Sequence, residues 1–147
     1  MASGPIFQLQ TGRFFWTGLV AGQDIMQTIA GVVEDLGLGA AAFDVSGQVR
    51  FATVGAYDAT QQVWVTAREE TPADIIFCQG DVVRADEKAL VNGRIVLVDK
   101  AGRIYGGRLF ADTVVDTGEL RLIELQGQGP TRTYEPAAAL WRLSAAL

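Results

Sequence analysis

Residues 94–109 read Arg94-Ile95-Val96-Leu97-Val98-Asp99-Lys100-Ala101-Gly102-Arg103-Ile104-Tyr105-Gly106-Gly107-Arg108-Leu109. The aliphatic run Ile95 to Val98 is rich in β-branched residues, which favour extended backbone. Asp99-Lys100-Ala101-Gly102 then supplies turn chemistry. An Asp side chain bonds backbone N–H groups ahead of it, and Gly accepts positive φ. A connection this short joins antiparallel strands, because a parallel pair needs a crossover of a dozen or more residues. The spacing therefore predicts a strand over Arg94–Asp99, a tight turn, and a returning strand that carries the pair Gly106-Gly107.

The same grammar continues on both sides. Phe14 to Val20, Ala40 to Val45, Val49 to Gly55, Gln62 to Ala67, Asp74 to Cys78 and Glu119 to Leu125 are short β-branched or aromatic runs. Gly, Asp or Asn interrupts them. Ala56-Tyr57-Asp58-Ala59-Thr60 has hairpin-turn chemistry, Glu69 to Asp74 reads as a loop, and polar Asp81 to Asn92 as an exposed connection. The 17 glycines suit many tight turns and bulges. One segment differs. Ile25, Ile29, Val32, Val33 and Leu36 form an apolar stripe at helical period, preceded by Asp24 as N-cap with Gln27 as capping-box partner and followed by Gly37 as the stop. The expectation is an α+β fold: a largely antiparallel meander flanked by one main helix, about Asp24–Leu36.

The chain has 147 residues, the size of one domain, and 49% of them are hydrophobic, enough to bury a core. There is no histidine. That removes the commonest general base, the Ser-His and Cys-His nucleophile pairs, and zinc sites built on imidazole. A single cysteine, Cys78, removes intramolecular disulfides and cysteine-cluster metal sites. With 12 Lys+Arg against 17 Asp+Glu the net charge is −5, which opposes unassisted binding to nucleic acid or an acidic membrane face. Met1 to Pro5 leads into an alternating segment with no export signal, and no apolar run approaches the roughly 20 residues that span a bilayer. The expected compartment is the cytoplasm. No cofactor and no metal are expected.

Gly22-Gln23-Asp24-Ile25 opens the helix, and Val54-Gly55-Ala56-Tyr57-Asp58 and Gly80-Asp81-Val82 precede the 94–109 hairpin. Glu119 to Leu125 and Arg132-Thr133-Tyr134 follow it. In this order the motifs resemble the plants-and-prokaryotes conserved domain (PPC, also written PCC), from about Phe15 to Leu143, with the hairpin as the most specific piece. The resemblance implies a single α+β domain over residues 1–147, with a central antiparallel sheet, assembled as a homotrimer. Plant relatives join this domain to AT-hooks that enter AT-rich DNA, and the domain itself serves assembly and protein contacts. Prokaryotic relatives are usually the domain alone. The function implied here is a non-catalytic oligomeric binding or assembly module. A DNA-associated regulatory role is carried only by analogy, since no Arg-Gly-Arg-Pro hook occurs.

Three departures from the family pattern matter. The family often places a His-x-His pair ahead of the Asp turn and a His after the glycine pair. The matching positions here are Asn92, Arg94 and Arg108. Arg stays protonated and repels cations, so a metal role does not carry over. The family's acidic Phe-Glu-Ile-Leu strand is reduced to Ala73-Asp74-Ile75-Ile76.

Arg94 and Arg108 each follow a glycine, and the predicted hairpin brings them toward one end of its ribbon. Guanidinium forks bind carboxylate or phosphate bidentately, and neighbouring glycines let an anion reach backbone amides. With Asn92, Tyr105 and Glu119 as polar partners, they form a candidate site for a small anion, whether held or transformed. The alternative is structural, each arginine neutralising a carboxylate such as Glu119 or Asp99, within the chain or across a subunit boundary. The sequence leaves both open. Gly106-Gly107 lacks a phosphate-loop pattern and reads as a bulge. Cys78 ends an apolar run and is expected buried, Ser46 is a turn residue, and Asp112, Asp116 and Glu119 match no metal loop. Phe14-Phe15-Trp16, Trp64, Trp141 and the tail Ala137 to Leu147 make an apolar surplus that self-association would cover.

Overall fold

Strand-forming residues govern almost the whole chain, which a computed structural model describes over residues 4–144. The order is β1 (Gln10–Leu19), α1 (Ile25–Asp35), β2 (Ala41–Asp58), β3 (Val63–Glu69), β4 (Ala73–Ala85), β5 (Lys88–Asp99), β6 (Ile104–Leu109), β7 (Val114–Gln126), β8 (Thr131–Glu135) and β9 (Leu140–Ser144). They form one sheet in the order β1-β7-β2-β6-β5-β4-β8-β9, with β3 attached to β2. The only parallel contact between these strands is a single pair, Arg84 with Thr131, between β4 and β8. Thus the mostly antiparallel sheet with one helix matches the expected architecture.

β2 organises the rest. Its first half pairs with β4 and β7, and its second half with β3 and β6. Because β5 joins β4 to β6, the path β2–β4–β5–β6 returns to β2 and closes. The expected strands Ala40–Val45 and Val49–Gly55 are therefore one bent strand, and Gly47 marks a bulge inside it instead of a loop. Gly47 sits at φ 129, and a Cβ there would collide with the Thr117 carbonyl oxygen. The ladder continues across the bend only because this residue has no side chain.

Asp81 to Asn92 also differs from the expectation. It is not an exposed connection; β4 runs on to Ala85, β5 begins at Lys88, and Asp86-Glu87 form the tight turn with φ 50 and 65. Val82, Val83 and Val91 are buried in this extension. The turn was concealed because two acidic residues, and not Asn-Gly, adopt the left-handed conformations. At Asp99 the predicted turn forms: Gly102 N–H donates to the Asp99 carbonyl at 2.9 Å, and the Asp99 carboxylate accepts Ala101 N–H and Arg103 N–H at 3.0 Å.

The helix follows its stripe. Ile25, Ile29 and Val33 are buried against the sheet, and Asp24 accepts Gln27 N–H at 3.0 Å. Gln27 contributes its backbone, and no hydrogen bond of its side chain occurs among the described residues. The second Asp24 oxygen instead accepts Asp112 N–H at 2.6 Å, tying the helix entry to the loop before β7. Ile95, Leu97, Leu120 and Leu122 fill the core beneath, together with Cys78, whose thiol burial pushes up to about 12. Such a thiol is inert near neutrality. In β1, Phe15 turns toward the core, whereas Phe14 and Trp16 point outward, 57% and 64% exposed. The last three residues of the apolar tail, 145–147, lie outside the described residues. Among the described residues no helix is long and apolar enough to cross a membrane.

A bulge between Thr11 and Phe14 in β1 turns Arg13 onto Glu124 of β7. Arg13 N–H and Nε donate to one carboxylate oxygen, and its terminal nitrogen to the other, all at 3.1 Å. These bonds hold Glu124 at about 2, below the ordinary value of 4.5. A group depressed in the folded state stabilises fully above its unfolded value and loses that contribution as pH falls through the folded one. Glu124→Gln should therefore be less stable than the parent at pH 7 by urea titration, with the gap closing between about pH 5 and pH 2; a gap independent of pH would overturn the assignment. Gly47→Ala should lose at least ~1 kcal/mol by the same titration, through positive φ and backbone collision.

Candidate functional site

Alternation along β5 divides its side chains. Val91, Ile95 and Leu97 face the core, so Asn92, Arg94 and Val96 face outward. In the ladder Arg94 is the direct partner of Arg108 on β6 and of Gln79 on β4, while Asn92 is opposite Asp81. Both arginines thus stand on the outer face, side by side across one strand pair. Gly55, the partner of Arg108 on β2, leaves that face low beside the arginines, and Gly80, Gly93 and Gly107 add backbone to the lining. The result is an open cavity of about 560 Å³ lined by Asn92, Arg94, Arg108, Gln79 and Asp81, with aromatic walls.

The walls come from the end of β2 and from β3. Tyr57 and Trp64 are cross-strand partners, their rings meeting edge-on at 5.2 Å, and Phe110 meets Trp64 at 5.7 Å. Gly55 leaves the room that Phe110 fills, because a Cβ there would strike its ring. The Arg108 guanidinium lies 5.1 Å from the centre of the Trp64 ring, a cation–π contact that shelters the charge without neutralising it.

Counter-charges set this place apart. Eight of the ten arginines hold a carboxylate oxygen within 3.5 Å. The two that form no ion pair among the described residues are Arg94 and Arg108. Arg108 is half-buried; burial first, then the charge of Arg132, pull its pKa down, against a smaller opposing effect of Asp81. Asp81, the one carboxylate lining the cavity among the described residues, is already engaged by Arg132 at 3.1 Å.

The other sequence candidates are placed elsewhere. Tyr105 is opposite Leu97, which turns it to the core face, with Arg103 over its ring at 4.6 Å; its buried hydroxyl has no partner among the described residues. Glu119 lies on β7 beside Arg121, 3.8 Å away, and does not line the cavity. Period-two alternation accounts for Tyr105, three residues from Arg108 and so on the opposite face. Glu119 is separated by the width of β2 and its neighbours. Asp99 pairs with Arg103 at 3.5 Å, not with Arg94. Conversely, the sequence reading missed Tyr57, Trp64, Gln79 and Asp81 as neighbours of the arginines. The Tyr57-to-Trp64 hairpin was its best available signal.

Cations are poor occupants here. Guanidinium groups only donate hydrogen bonds, Asp81 is taken by Arg132, and no cluster of three or more His, Cys, Asp or Glu suited to a metal occurs among the described residues. An anion is suited, since two guanidinium forks bordered by Asn92 and Gln79 present donors from several directions.

Among solved structures, a metal-containing protein from Archaeoglobus fulgidus is 29% identical, with a TM-score of 0.88 over 95% of this chain and 98% of its own. A plant- and prokaryote-conserved (PPC) protein from Pyrococcus horikoshii is 21% identical, with a TM-score of 0.85 over 97% of each chain. A Bacteroides thetaiotaomicron protein provisionally described as DNA-binding is 13% identical, with a TM-score of 0.81 over 93% of this chain and 97% of its own. No curated protein matches at a significant level. The metal of the Archaeoglobus protein has no suitable set of ligands in the arginine cavity described here. The family model of the Plants and Prokaryotes Conserved (PCC) domain matches residues 7–126, which span the helix, the closed path of strands and both arginines, and the chain belongs to that family.

Proposed function

We propose that this protein is a cytoplasmic, non-catalytic binding module of the PCC type that associates with copies of itself and holds a small, multiply charged anion between Arg94 and Arg108. One observation carries the ligand assignment: in a chain with more acids than bases, the two arginines that have no carboxylate partner among the described residues are direct ladder partners in one cavity. Desolvating a cation without a counter-charge costs free energy, which an incoming carboxylate or phosphate offsets. The aromatic walls suit a ligand with an apolar portion beside its acid groups. Trimeric assembly is the state the family resemblance implies. The outward Phe14 and Trp16 on β1, an edge strand of the sheet, support self-association by offering apolar surface beside unpaired backbone.

DNA association is the weaker reading. It draws on the description of the Bacteroides structure, and the net charge of −5 opposes it.

A thermal-shift screen against di- and tricarboxylates and phosphate compounds tests the ligand assignment. A ligand at about a hundred times its Kd should raise Tm by roughly 5–10 °C, and Arg94→Ala/Arg108→Ala should abolish the response while still folding. An equal response in the double variant would overturn the assignment. Native mass spectrometry should return three times the chain mass; a monomer at micromolar concentration would remove the assembly half of the proposal.

A further inference from the structure

The C-terminal β8–β9 hairpin is fastened to the sheet by three side chains that also line the arginine cavity. Tyr57 donates its hydroxyl to the Ala138 carbonyl at 2.6 Å, and Trp64 donates Nε1–H to the Ala139 carbonyl at 2.9 Å. Arg132 of β8 donates to both oxygens of Asp81, at 3.1 and 3.3 Å. Beyond these, the ladder joins the hairpin to the sheet through the one pair Arg84 with Thr131. The hairpin is otherwise held internally, by the β8–β9 ladder, by Tyr134 against Trp141 at 5.1 Å, and by Arg142 on Glu135 at 2.7 Å. Arg132 keeps a buried Nε with no acceptor among the described residues.

Resting on the anion assignment above, we propose that the hairpin is a working part of the site, so that its docking and the binding of an anion reinforce each other. The sign follows from the charges. Docked, the hairpin fixes the Tyr57 and Trp64 walls, and Arg132 cancels the one negative charge on the lining. Lifted, it strips Asp81 of its counter-charge and leaves a bare carboxylate facing the anion. In the other direction, an anion between Arg94 and Arg108 screens the repulsion between Arg108 and Arg132 and so favours the docked state. Coupling of this kind is reciprocal, and its usual size is fivefold or more in affinity. Tyr57, Trp64 and Arg132 act here as positioning residues.

The test uses the full chain with inorganic pyrophosphate and citrate as probes, read by calorimetry and by amide hydrogen exchange across 131–144. With a probe saturating, exchange over Thr131–Glu135 should slow at least about fivefold. Trp141→Ala, a hairpin change outside the cavity, should speed that exchange and raise Kd at least about fivefold. Arg142→Ala, which breaks only the exposed pair with Glu135, should do the same to a smaller extent. Arg94→Ala/Arg108→Ala should lose binding and the exchange response together. If a probe binds and needs Arg94 and Arg108, yet neither hairpin exchange nor the Trp141→Ala affinity moves, the coupling is wrong and the anion site stands. If neither probe binds the parent protein, the anion site falls and the coupling with it.

Discussion

The fold depends on one strand having four partners. β2 is long enough to pair with β4 and β7 along its first half and with β3 and β6 along its second. A flat strand cannot serve neighbours in such different directions, so β2 bends, and Gly47 allows the bend where the Thr117 carbonyl leaves no space for a side chain. Closing the path through β4, β5 and β6 encloses Ile95, Leu97 and Cys78, and the helix covers more of the core with its Ile25–Ile29–Val33 stripe. The same closure fixes which residues face outward. Since β5 is held between β4 and β6, Arg94 has Gln79 on one side and Arg108 on the other.

Electrostatics then separates scaffold from site. Most of the ion pairs are exposed or half-exposed, and each adds little to stability. Their value here is as a pattern. Among the described residues, each arginine has a carboxylate within reach except the two on the outer face of the β5–β6 pair, where a half-buried guanidinium rests on an indole ring. The cost of leaving it uncompensated is modest because the aromatic face supplies partial negative charge. A frame shared with the Archaeoglobus and Pyrococcus structures thus carries a cavity in which two guanidiniums are ladder partners.

The aromatic residues divide in the same way. Phe14-Phe15-Trp16 looked like a single surplus, but alternation sends Phe15 inward and leaves its two neighbours exposed on β1. Trp64 belongs to the cavity wall, and Trp141 packs against Tyr134 within the C-terminal hairpin. One composition therefore serves three different ends, depending on where the ladder places each ring.

Local chemistry determined much of this protein from the sequence alone. The 94–109 hairpin, its Asp99 turn, the Asp24-capped helix and the choice of an antiparallel sheet rest on residue preferences acting over a few positions. The conspicuous guanidiniums of Arg94 and Arg108 were legible for a related reason, since a tight turn dictates which residues of its two strands come together. What only the tertiary structure decided depends on contacts distant along the chain. The continuity of β2 through Gly47 needed the Thr117 backbone as neighbour, and the Asp86-Glu87 turn needed buried Val82 and Val91 on either side. Tyr105 and Glu119 separated from the arginines because face and sheet position, not nearness in sequence, govern who meets whom. Asp81, Trp64 and Arg132 came together because strand closure and a C-terminal hairpin brought them there, over separations no local pattern encodes.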